Sequence, residues 1–527
     1  MIRLVVVATL LLTAAAVPAA AQASRTWSLD DRMVIGDWTR ISAVAAGPDR
    51  VYFASPNGVL VYRPIERRWE GVYDAPAPNA LDYVVSGMLD PLDYSLWLRL
   101  AAGWAHFQPD LQLWEMGQVA GRLLDFAFDE TAPTAGLFLR TATGWQRLPP
   151  GALVPIPSQQ GPARPSRPAT VEQAAAANPI LRTSAGAFLL DPAMRAARYT
   201  SAAPSFDRRG WFLGTDGVGA LFLEDGSLSP LRLSFGIAGP VVGAVHAVPG
   251  GVWVVSNAVG NQRAGLSFVA GDLSTSSLGY GPPATGYAFL TARRLIGVGD
   301  ALWAATDAGV LRFPVTDPLS FTRFDETSGL PDRRVTSLSS RRGVVVAATR
   351  RGLARFVDSA TVEPLAPRYV YEALAVLAGP DTAWVGTENG PRAAVADRPE
   401  LFRPLGVEAS AALARPVVDL AWLGDTLTGL TRDQFLWRLP GSDEWQIGAP
   451  MSSILGPLRR LVADGDGFWV AGDAGVGWSR LDGAPIRPLL VGGDLPAMPL
   501  DLAVDGTFLW VGTANGLVRF RLSEVRP

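Results

Sequence analysis

A short pattern recurs along the whole chain at nearly constant spacing. Its last copy, residues 507–520 (TFLWVGTANGLVRF), has an apolar run with a tryptophan, a tight turn with a glycine and a second apolar run. With the turn glycine as marker, all but one of the steps between copies measure 38 to 48 residues. A period of about 40–45 residues is typical of β-propeller blades. The markers are Gly58, Gly103, Gly144, Gly186, Gly217, Gly265, Gly309, Gly352, Gly390, Gly475 and Gly516, with Asp433 in place of one glycine.

Apolar and polar residues alternate around each marker, which predicts strands rather than helices. The copy around Gly352 predicts a complete four-stranded blade, with strands at 335–339, 344–349, 353–357 and 361–364 and turns at Gly343 and Gly352. We therefore expect an all-β protein, a β-propeller of about twelve four-stranded blades.

The grouping of these blades is less strongly specified by the sequence. The step from Gly186 to Gly217 is only 31 residues, so the count is twelve or eleven. Because rings usually contain about four to eight blades, we predict two tandem propellers of about six blades, with one large closed ring as the alternative. Blades 1–6 would occupy residues 24–325, with an irregular loop at 150–180, and blades 7–12 residues 326–527.

Two shorter features complete the predicted architecture. Thr170 and Gln173 have the spacing of a capping box and predict a short helix inside the irregular loop. The last repeat supplies three strands, whereas residues 25–29 form an unpaired strand pattern at the start of the chain. Pairing the two would remove two exposed edges, so we predict that residues 25–29 close the last blade.

Residues 1–23 have the pattern of a secretory signal peptide. Arg3 precedes an apolar stretch, and Ala21-Gln22-Ala23 is a small-residue cleavage site. We expect removal of this segment and a periplasmic or secreted protein without a membrane span, the alternative being an uncleaved anchor. The chain has no cysteine, a formal charge of −3 and no basic tract, so no nucleic-acid partner is expected.

Two segments resemble the repeats of two-component-regulator-type propellers. Residues 328–338 (SGLPDRRVTSL) match the connection before an inner strand, and residues 509–520 (LWVGTANGLVRF) match the strand pair that follows. Weaker copies lie at 302–313 and 345–356. The resemblance implies a bacterial propeller like those that serve as periplasmic sensor domains ahead of a membrane helix and a kinase. Since neither follows in this sequence, we expect a stand-alone propeller.

The sequence contains no recognisable catalytic or cofactor-binding motif. The two histidines, His106 and His246, lie in predicted strands among apolar neighbours, which favours structural roles. Asp464-Gly465-Asp466-Gly467 resembles the start of a calcium loop but predicts a hairpin turn, because the acidic residue that such a loop needs downstream is Gly475. We therefore expect no catalytic residue, no cofactor and no metal site.

The tryptophans fall into two groups. Those six residues before a marker, such as Trp510, are expected in the core between blades. Tryptophans outside this register are better candidates for contact with a ligand, namely Trp38, Trp69, Trp114, Trp422 and Trp445.

These observations predict an exported, non-enzymatic propeller that binds a protein or glycan partner through loops on one face. The repeated turn varies most between copies, so its side chains are the predicted binding residues: Asp307, Arg350, Arg351, Glu388, Asn389, Asp473 and Asn515. The alternative is a propeller glycoside hydrolase or lyase that uses carboxylates converging in the channel.

Overall fold

The computed structural model describes residues 27–527 apart from short gaps, so the predicted signal peptide lies outside the described residues. The gaps are residues 78, 120, 184–185, 191–195, 260–263, 274–275, 281–290, 318–319, 359, 366–371, 380–381, 396–397, 405–412, 443 and 484.

Strands make up most of the described chain. Those up to residue 233 are β1 (Arg32–Ile35), β2 (Ala43–Ala46), β3 (Val51–Ser55), β4 (Gly58–Arg63), β5 (Arg68–Asp74), β6 (Val84–Leu89), β7 (Leu96–Leu100), β8 (Gly103–Gln108), β9 (Leu113–Gln118), β10 (Asp125–Asp129), β11 (Leu137–Thr141), β12 (Gly144–Leu148), β13 (Ile156–Ser158), β14 (Pro165–Ser166), β15 (Arg182–Thr183), β16 (Gly186–Leu190), β17 (Ala196–Pro204), β18 (Gly210–Asp216), β19 (Ala220–Glu224) and β20 (Leu231–Leu233).

The strands after residue 233 follow the same pattern more regularly. They are β21 (Val242–Val248), β22 (Gly251–Ser256), β23 (Gly265–Ala270), β24 (Ser276–Tyr280), β25 (Ala292–Val298), β26 (Ala301–Thr306), β27 (Gly309–Pro314), β28 (Thr322–Phe324), β29 (Val335–Arg341), β30 (Val344–Thr349), β31 (Gly352–Phe356), β32 (Val362–Pro364), β33 (Ala373–Ala378), β34 (Thr382–Thr387), β35 (Gly390–Val395), β36 (Arg398–Pro404), β37 (Val417–Leu423), β38 (Thr426–Thr431), β39 (Phe435–Arg438), β40 (Gln446–Ile447), β41 (Leu458–Asp464), β42 (Gly467–Gly472), β43 (Gly475–Ser479), β44 (Ile486–Leu490), β45 (Pro499–Val504), β46 (Phe508–Thr513) and β47 (Gly516–Arg521).

Helices are few and short. The α-helices are α1 (Val171–Ala177), α2 (Ser452–Leu455) and α3 (Leu522–Val525), and the 3₁₀ turns are Pro133–Ala135, Pro179–Leu181 and Glu326–Ser328. Helix α1 begins at the predicted capping box, in which Thr170 accepts from the Gln173 N–H and the Gln173 side chain accepts from the Thr170 N–H. The helix predicted inside the irregular loop is therefore confirmed.

The described strands form eleven antiparallel sheets, which we number 1 to 11 in chain order. Sheets 1, 2 and 5 to 10 have four strands in sequence order, which we call inner, second, third and outer. The upper face is the end at which the second strand turns into the third. The lower face is the opposite end, with the inner hairpin and the turn from third to outer strand. The prediction of a β-propeller is confirmed by this architecture.

The seven sheets from β21 onward form a closed ring. Their inner strands, β21, β25, β29, β33, β37, β41 and β45, pack side by side, and β45 returns to β21. Strand β1 completes sheet 11 by pairing with β47, from Arg32 opposite Phe520 to Ile35 opposite Leu517. The closing strand is therefore Arg32–Ile35. Of the predicted closing segment 25–29, residues 27–29 are not in a strand, and residues 25 and 26 lie outside the described residues. The chain turns at residues 28–31, where the Arg32 N–H donates to the Ser28 carbonyl at 3.0 Å.

The first four sheets form a separate group, which we call the four-sheet unit. The inner strand β2 packs between β6 of sheet 2 and β17 of sheet 4. Sheets 2 and 3 share a buried cluster that includes Trp97, Trp104 and Phe126. The irregular segment then connects sheet 3 to sheet 4, since β14 pairs with β10 and α1 packs on β17.

The grouping of sheets differs from the predicted six and six. The copy marked by Gly186 makes no sheet of its own, because its strand β16 joins sheet 4 by pairing with β17. Eleven, the lower of the two predicted counts, is therefore the number of sheets in the described residues. Because β21 contacts β45 and β17 contacts β2, we propose a division near residue 240 in place of the predicted one at 325/326.

Candidate functional site

The upper face is built from one repeated turn, which a threonine organises. At the end of a second strand, Thr349 donates its hydroxyl to the Gly352 carbonyl at 2.8 Å and accepts the Arg351 N–H. The same donor bond recurs at Thr306, Thr387, Thr431 and Thr513. Gly309 shows why glycine ends the turn: its φ is 116°, and a Cβ would lie 2.0 Å from the Phe324 carbonyl oxygen. The turn backbone is thus fixed, and its exposed side chains can vary.

Two of the predicted binding residues are held by ion pairs inside their own sheets. Asp307 accepts from the Thr291 hydroxyl at 2.5 Å and from Arg293 at 3.0 Å. Asp473 forms the equivalent pair with Arg459. Burial acts to raise the pKa of Asp307, but the hydrogen bonds from Thr291 and Arg293 outweigh it, so its pKa is lowered. These carboxylates fix the start of the inner strand.

The other predicted residues are more accessible. Arg350 lies 3.9 Å from Glu372, and Arg351 lies 3.4 Å from Asp332. Glu388 is exposed, as are Asn389 and Asn515, whose N–H groups donate to the threonine of the turn. The structure places all seven predicted residues at the upper face, distributed over five sheets of the ring. Their role in binding stays a prediction.

The first histidine has the structural role that the sequence favours. His106 stacks on Trp97 at 4.1 Å, and its ring nitrogens lie 2.9 Å from Glu115 and 2.8 Å from the Ser95 hydroxyl. His246 lies on the inner strand β21 against sheet 6, where a Cβ on Gly297 would meet its Nε2. Burial lowers the pKa of His246, and Arg294 lowers it further.

Two of the five tryptophans proposed as ligand contacts are buried, and the other three are half-buried. Trp38 and Trp69 are buried, and Trp69 donates its indole N–H to the Ser234 carbonyl. Trp114 donates to the Asp74 carbonyl and Trp422 to the Ala378 carbonyl, and Trp445 is half-buried. The expectation of ligand contact is wrong for Trp38 and Trp69. Trp510 is fully buried, as the repeat register predicted.

The centre of the seven-sheet ring contains four charged side chains that the sequence reading missed. Arg294 lies 3.4 Å from Asp419 and 3.7 Å from Asp501, and Arg460 lies 3.4 Å from Asp501. The residues belong to sheets 6, 9, 10 and 11, so the pairs cross the ring. Both carboxylates also accept backbone N–H groups, Asp419 from Leu461 and Asp501 from Val245. Because the four charges cancel and are tied to one another, this centre is a structural link.

A shared sequence signal could have identified these four residues. In all seven inner strands of the ring the pairing shifts by one residue near the start, which marks a β-bulge. The residue after each bulge is Ala244, Arg294, Ser337, Ala375, Asp419, Arg460 or Asp501. Each of the four charged residues directly precedes a buried leucine in its inner strand, and this pattern was the available signal.

The lower face of the four-sheet unit contains an open groove between sheets 1 and 4. Its cavity of about 670 Å³ is lined by Tyr62, Phe212 and Phe222 together with the exposed Ile65 and Phe206. The aromatic rings form its floor, with Phe212 at 4.8 Å from Phe222 and 6.3 Å from Tyr62. Burial raises the pKa of Tyr62, and Arg67 opposes the rise.

The rim of this groove is held by local hydrogen bonds. Phe206 projects from the hairpin between β17 and β18, where the Ser205 hydroxyl accepts the N–H groups of Arg209 and Gly210 and donates to Asp207. Ile65 projects from the turn between β4 and β5, which the ion pair from Arg63 to Glu70 closes at 2.7 Å. Both apolar side chains are therefore presented by ordered turns.

A second cavity of about 480 Å³ lies beside the groove, between sheets 1 and 2. The two cavities share residues 47–49 of one hairpin, so they form one continuous surface. Tyr94 and Leu111 line the second cavity and are exposed. The apolar surface thus lies at the opposite end of the sheets from the predicted turn residues.

Comparison with known proteins gives likeness to solved structures alone. No family model and no curated protein matches the chain. The extracellular domain of the hybrid two-component system BT3049 of B. thetaiotaomicron is 11% identical, with a TM-score of 0.43 over 93% of this chain and 83% of that one. The extracellular domain of the hybrid two-component system BT4673 is 13% identical, with a TM-score of 0.40 over 91% and 70%.

A third similar structure is PorZ of Porphyromonas gingivalis, a surface component of the type-IX secretion system. It is 13% identical, with a TM-score of 0.40 over 92% of this chain and 74% of that one. The first two are extracellular domains from the class of systems whose repeats the sequence resembles. At these identities and scores, the fold assignment rests on the sheet topology itself. Within the described residues, no helix combines the length and apolar character needed to cross a membrane.

Proposed function

We propose that this chain is an exported, non-enzymatic propeller that binds a protein partner through the lower face of its four-sheet unit. The observation that carries the proposal is the groove between sheets 1 and 4. Ile65, Phe206 and Leu231 are 79%, 61% and 63% exposed around it. Contiguous exposed apolar surface with a polar rim is a common mark of a protein interaction site.

The chemistry of the groove favours a protein over a glycan. Its accessible walls combine aliphatic side chains with aromatic rings, and an apolar anchor of a partner protein would bury both. A glycan would also need a dense set of polar groups around an exposed aromatic face. The polar side chains of the rim are partly engaged already, as in the 3.8 Å pair of Arg209 with Asp207.

The charged centre of the ring supports a binding role rather than catalysis. A glycosidase needs two carboxylates that can exchange protons or attack the substrate. Asp419 and Asp501 are instead buried among arginines and backbone N–H groups. Export is supported by the signal-peptide pattern of residues 1–23, and we propose a periplasmic or secreted location on that basis.

The proposal is tested with the mature protein and a double variant, Ile65→Ser with Phe206→Ser. Proteins of the native envelope are captured on the wild type, identified, purified and titrated against each variant. We expect a partner whose affinity falls by about tenfold or more in the double variant, because two apolar anchors are lost. The matched control is Val357→Ser, which replaces an exposed apolar residue at the lower face of the ring.

Two other outcomes would contradict the proposal. Equal affinity of the wild type and the double variant for the partner would exclude the groove as the binding site. Loss of binding in an Arg350→Ala, Arg351→Ala variant would place the binding site at the upper face. A glycan array is screened in parallel. Binding of a glycan that is lost when Phe206 is replaced would show that the groove recognises a carbohydrate and not a protein.

A further inference from the structure

The centre of the four-sheet unit contains a third cavity, separate from the groove. It has a volume of about 480 Å³ and lies beside the first residues of β2, β6, β10 and β17, one strand from each of sheets 1 to 4. Residues 167–172 form one wall, and the buried side chains of Val44 and Phe126 contribute an apolar floor. The cavity is large enough for a molecule of the size of a monosaccharide.

Positive charge exceeds negative charge around this cavity. Its lining includes three arginines, Arg99, Arg167 and Arg198, and two carboxylates, Asp125 and Glu172. Asp125 pairs with Arg167 at 2.9 Å. Hydrogen bonds that its carboxylate accepts from its own backbone N–H and from Thr170 lower the pKa of Glu172. Asp125 is thus paired with Arg167, whereas within the described residues neither Arg99 nor Arg198 forms an ion pair.

Arg99 is positioned by neutral groups only. It donates to the Leu124 carbonyl at 2.7 Å, to the Leu123 carbonyl at 3.2 Å and to the Ser86 hydroxyl at 3.2 Å. Among the described residues, no carboxylate lies within ion-pair distance of it. Burial lowers the pKa of Arg99, Asp125 opposes this change and the nearby Arg122 adds to it. A cation held in this way is electrostatically under-compensated.

Arg198 lies on the inner strand β17 and is exposed toward the cavity. The residue opposite it in the sheet is Asp216, whose ion pair is with Arg40 at 3.9 Å. Arg198 therefore presents a guanidinium group that can form two parallel hydrogen bonds with an anion.

We propose that this cavity binds a small organic anion through Arg99 and Arg198, with the carbon skeleton of the ligand resting on Val44 and Phe126. The recognised group is a carboxylate or a phosphate, since guanidinium groups bind both in a bidentate manner. This site is independent of the groove and of the partner proposed for it.

Isothermal titration of the mature protein tests the site with glucuronate, glucose 6-phosphate, citrate and neutral glucose. We expect at least one anion to bind and glucose not to bind. Arg198→Gln should weaken anion binding by about tenfold or more, because a charge-assisted bidentate contact is lost. The matched control is Arg333→Gln, which removes the same charge at an exposed position on the seven-sheet ring.

A second variant changes the site in the opposite direction. Asp125→Asn releases Arg167 and adds a third uncompensated guanidinium, so anion affinity should rise severalfold. Tighter binding of glucuronate or citrate would identify a carboxylate as the recognised group. Tighter binding of glucose 6-phosphate would identify a phosphate. The proposal is overturned if none of the anions binds at millimolar concentration, or if Arg198→Gln and Arg333→Gln weaken binding equally. Circular dichroism melting of each variant confirms that it is folded.

Discussion

The centre of the seven-sheet ring and the centre of the four-sheet unit use the same strand geometry with opposite results. In the ring, the residues after the bulges include two arginines and two aspartates, which reach across the centre and neutralise one another. In the four-sheet unit, the residues after the bulges of β6 and β17 are Ser86 and Ser201. Two short side chains leave a cavity there, and the surrounding charge is positive.

This difference shows how one repeat can be adapted to stability or to binding. The turn threonines, turn glycines and core tryptophans fix the backbone of a sheet. The single residue after the bulge then decides whether the centre is filled. We infer that the ring serves as the rigid part of the molecule and that the four-sheet unit carries its open surfaces.

The largest expected effect tests whether the two regions are energetically separate. Trp510 is fully buried in a core cluster that also contains Trp38, which precedes β2, and Phe53 and Trp69 of the four-sheet unit. Trp510→Ala should lower the free energy of unfolding by about 3–5 kcal/mol, as for other buried aromatic truncations. Because the cluster joins both regions, urea denaturation should show one transition shifted as a whole.

Trp445→Ala is the control for that experiment, since Trp445 is half-buried and packs against a cluster that belongs to the ring alone. Its effect on stability should be clearly smaller. Two transitions in urea, with only the later one moved by Trp510→Ala, would show that the regions unfold separately and that the shared cluster couples them weakly.

The next effect tests the charged centre of the ring. Arg294→Met removes the guanidinium that contacts both Asp419 and Asp501, which are 2% and 1% exposed. Unpaired buried carboxylates are costly, so the free energy of unfolding should fall by about 3 kcal/mol. Arg333→Met, at an exposed position, should change it little. If the two variants lose equal stability, the centre of the ring is well hydrated and the contrast with the four-sheet unit disappears.

The sequence predicted the fold to the extent that the repeat is local. The strands around Gly352 and the capping box at Thr170 were predicted correctly, because alternation and turn chemistry act within a few residues. The closing strand was predicted several residues too early. Residues 25–29 and Arg32–Ile35 both have a sequence typical of a strand, and only the turn at Ser28 distinguishes them. In the copy around 433, the residue in the glycine position is Gln434 and not Asp433.

Contacts between distant parts of the chain leave no local pattern in the sequence. Whether β21 packs beside β17 or beside β45 depends on contacts between residues more than 200 positions apart, for which one sequence offers no pattern. The groove was missed for the same reason, because Ile65 and Phe206 belong to different sheets and meet only in the folded protein. The variable turns, by contrast, can be recognised in the sequence, and for this reason the binding residues were predicted at the upper face.

The smallest effect concerns the pH dependence of the ring. The pKa of His246 lies below its ordinary value of 6.5 because the side chain is partly desolvated and near Arg294. The unfolded chain therefore binds a proton first as the pH falls below about 6.5, and this residue makes stability decrease in that range. His246→Gln should flatten the curve of unfolding free energy between about pH 7 and pH 5 relative to wild type. An unchanged slope would show that His246 is well hydrated where it lies against sheet 6, and that the ring is more open there than its packing indicates.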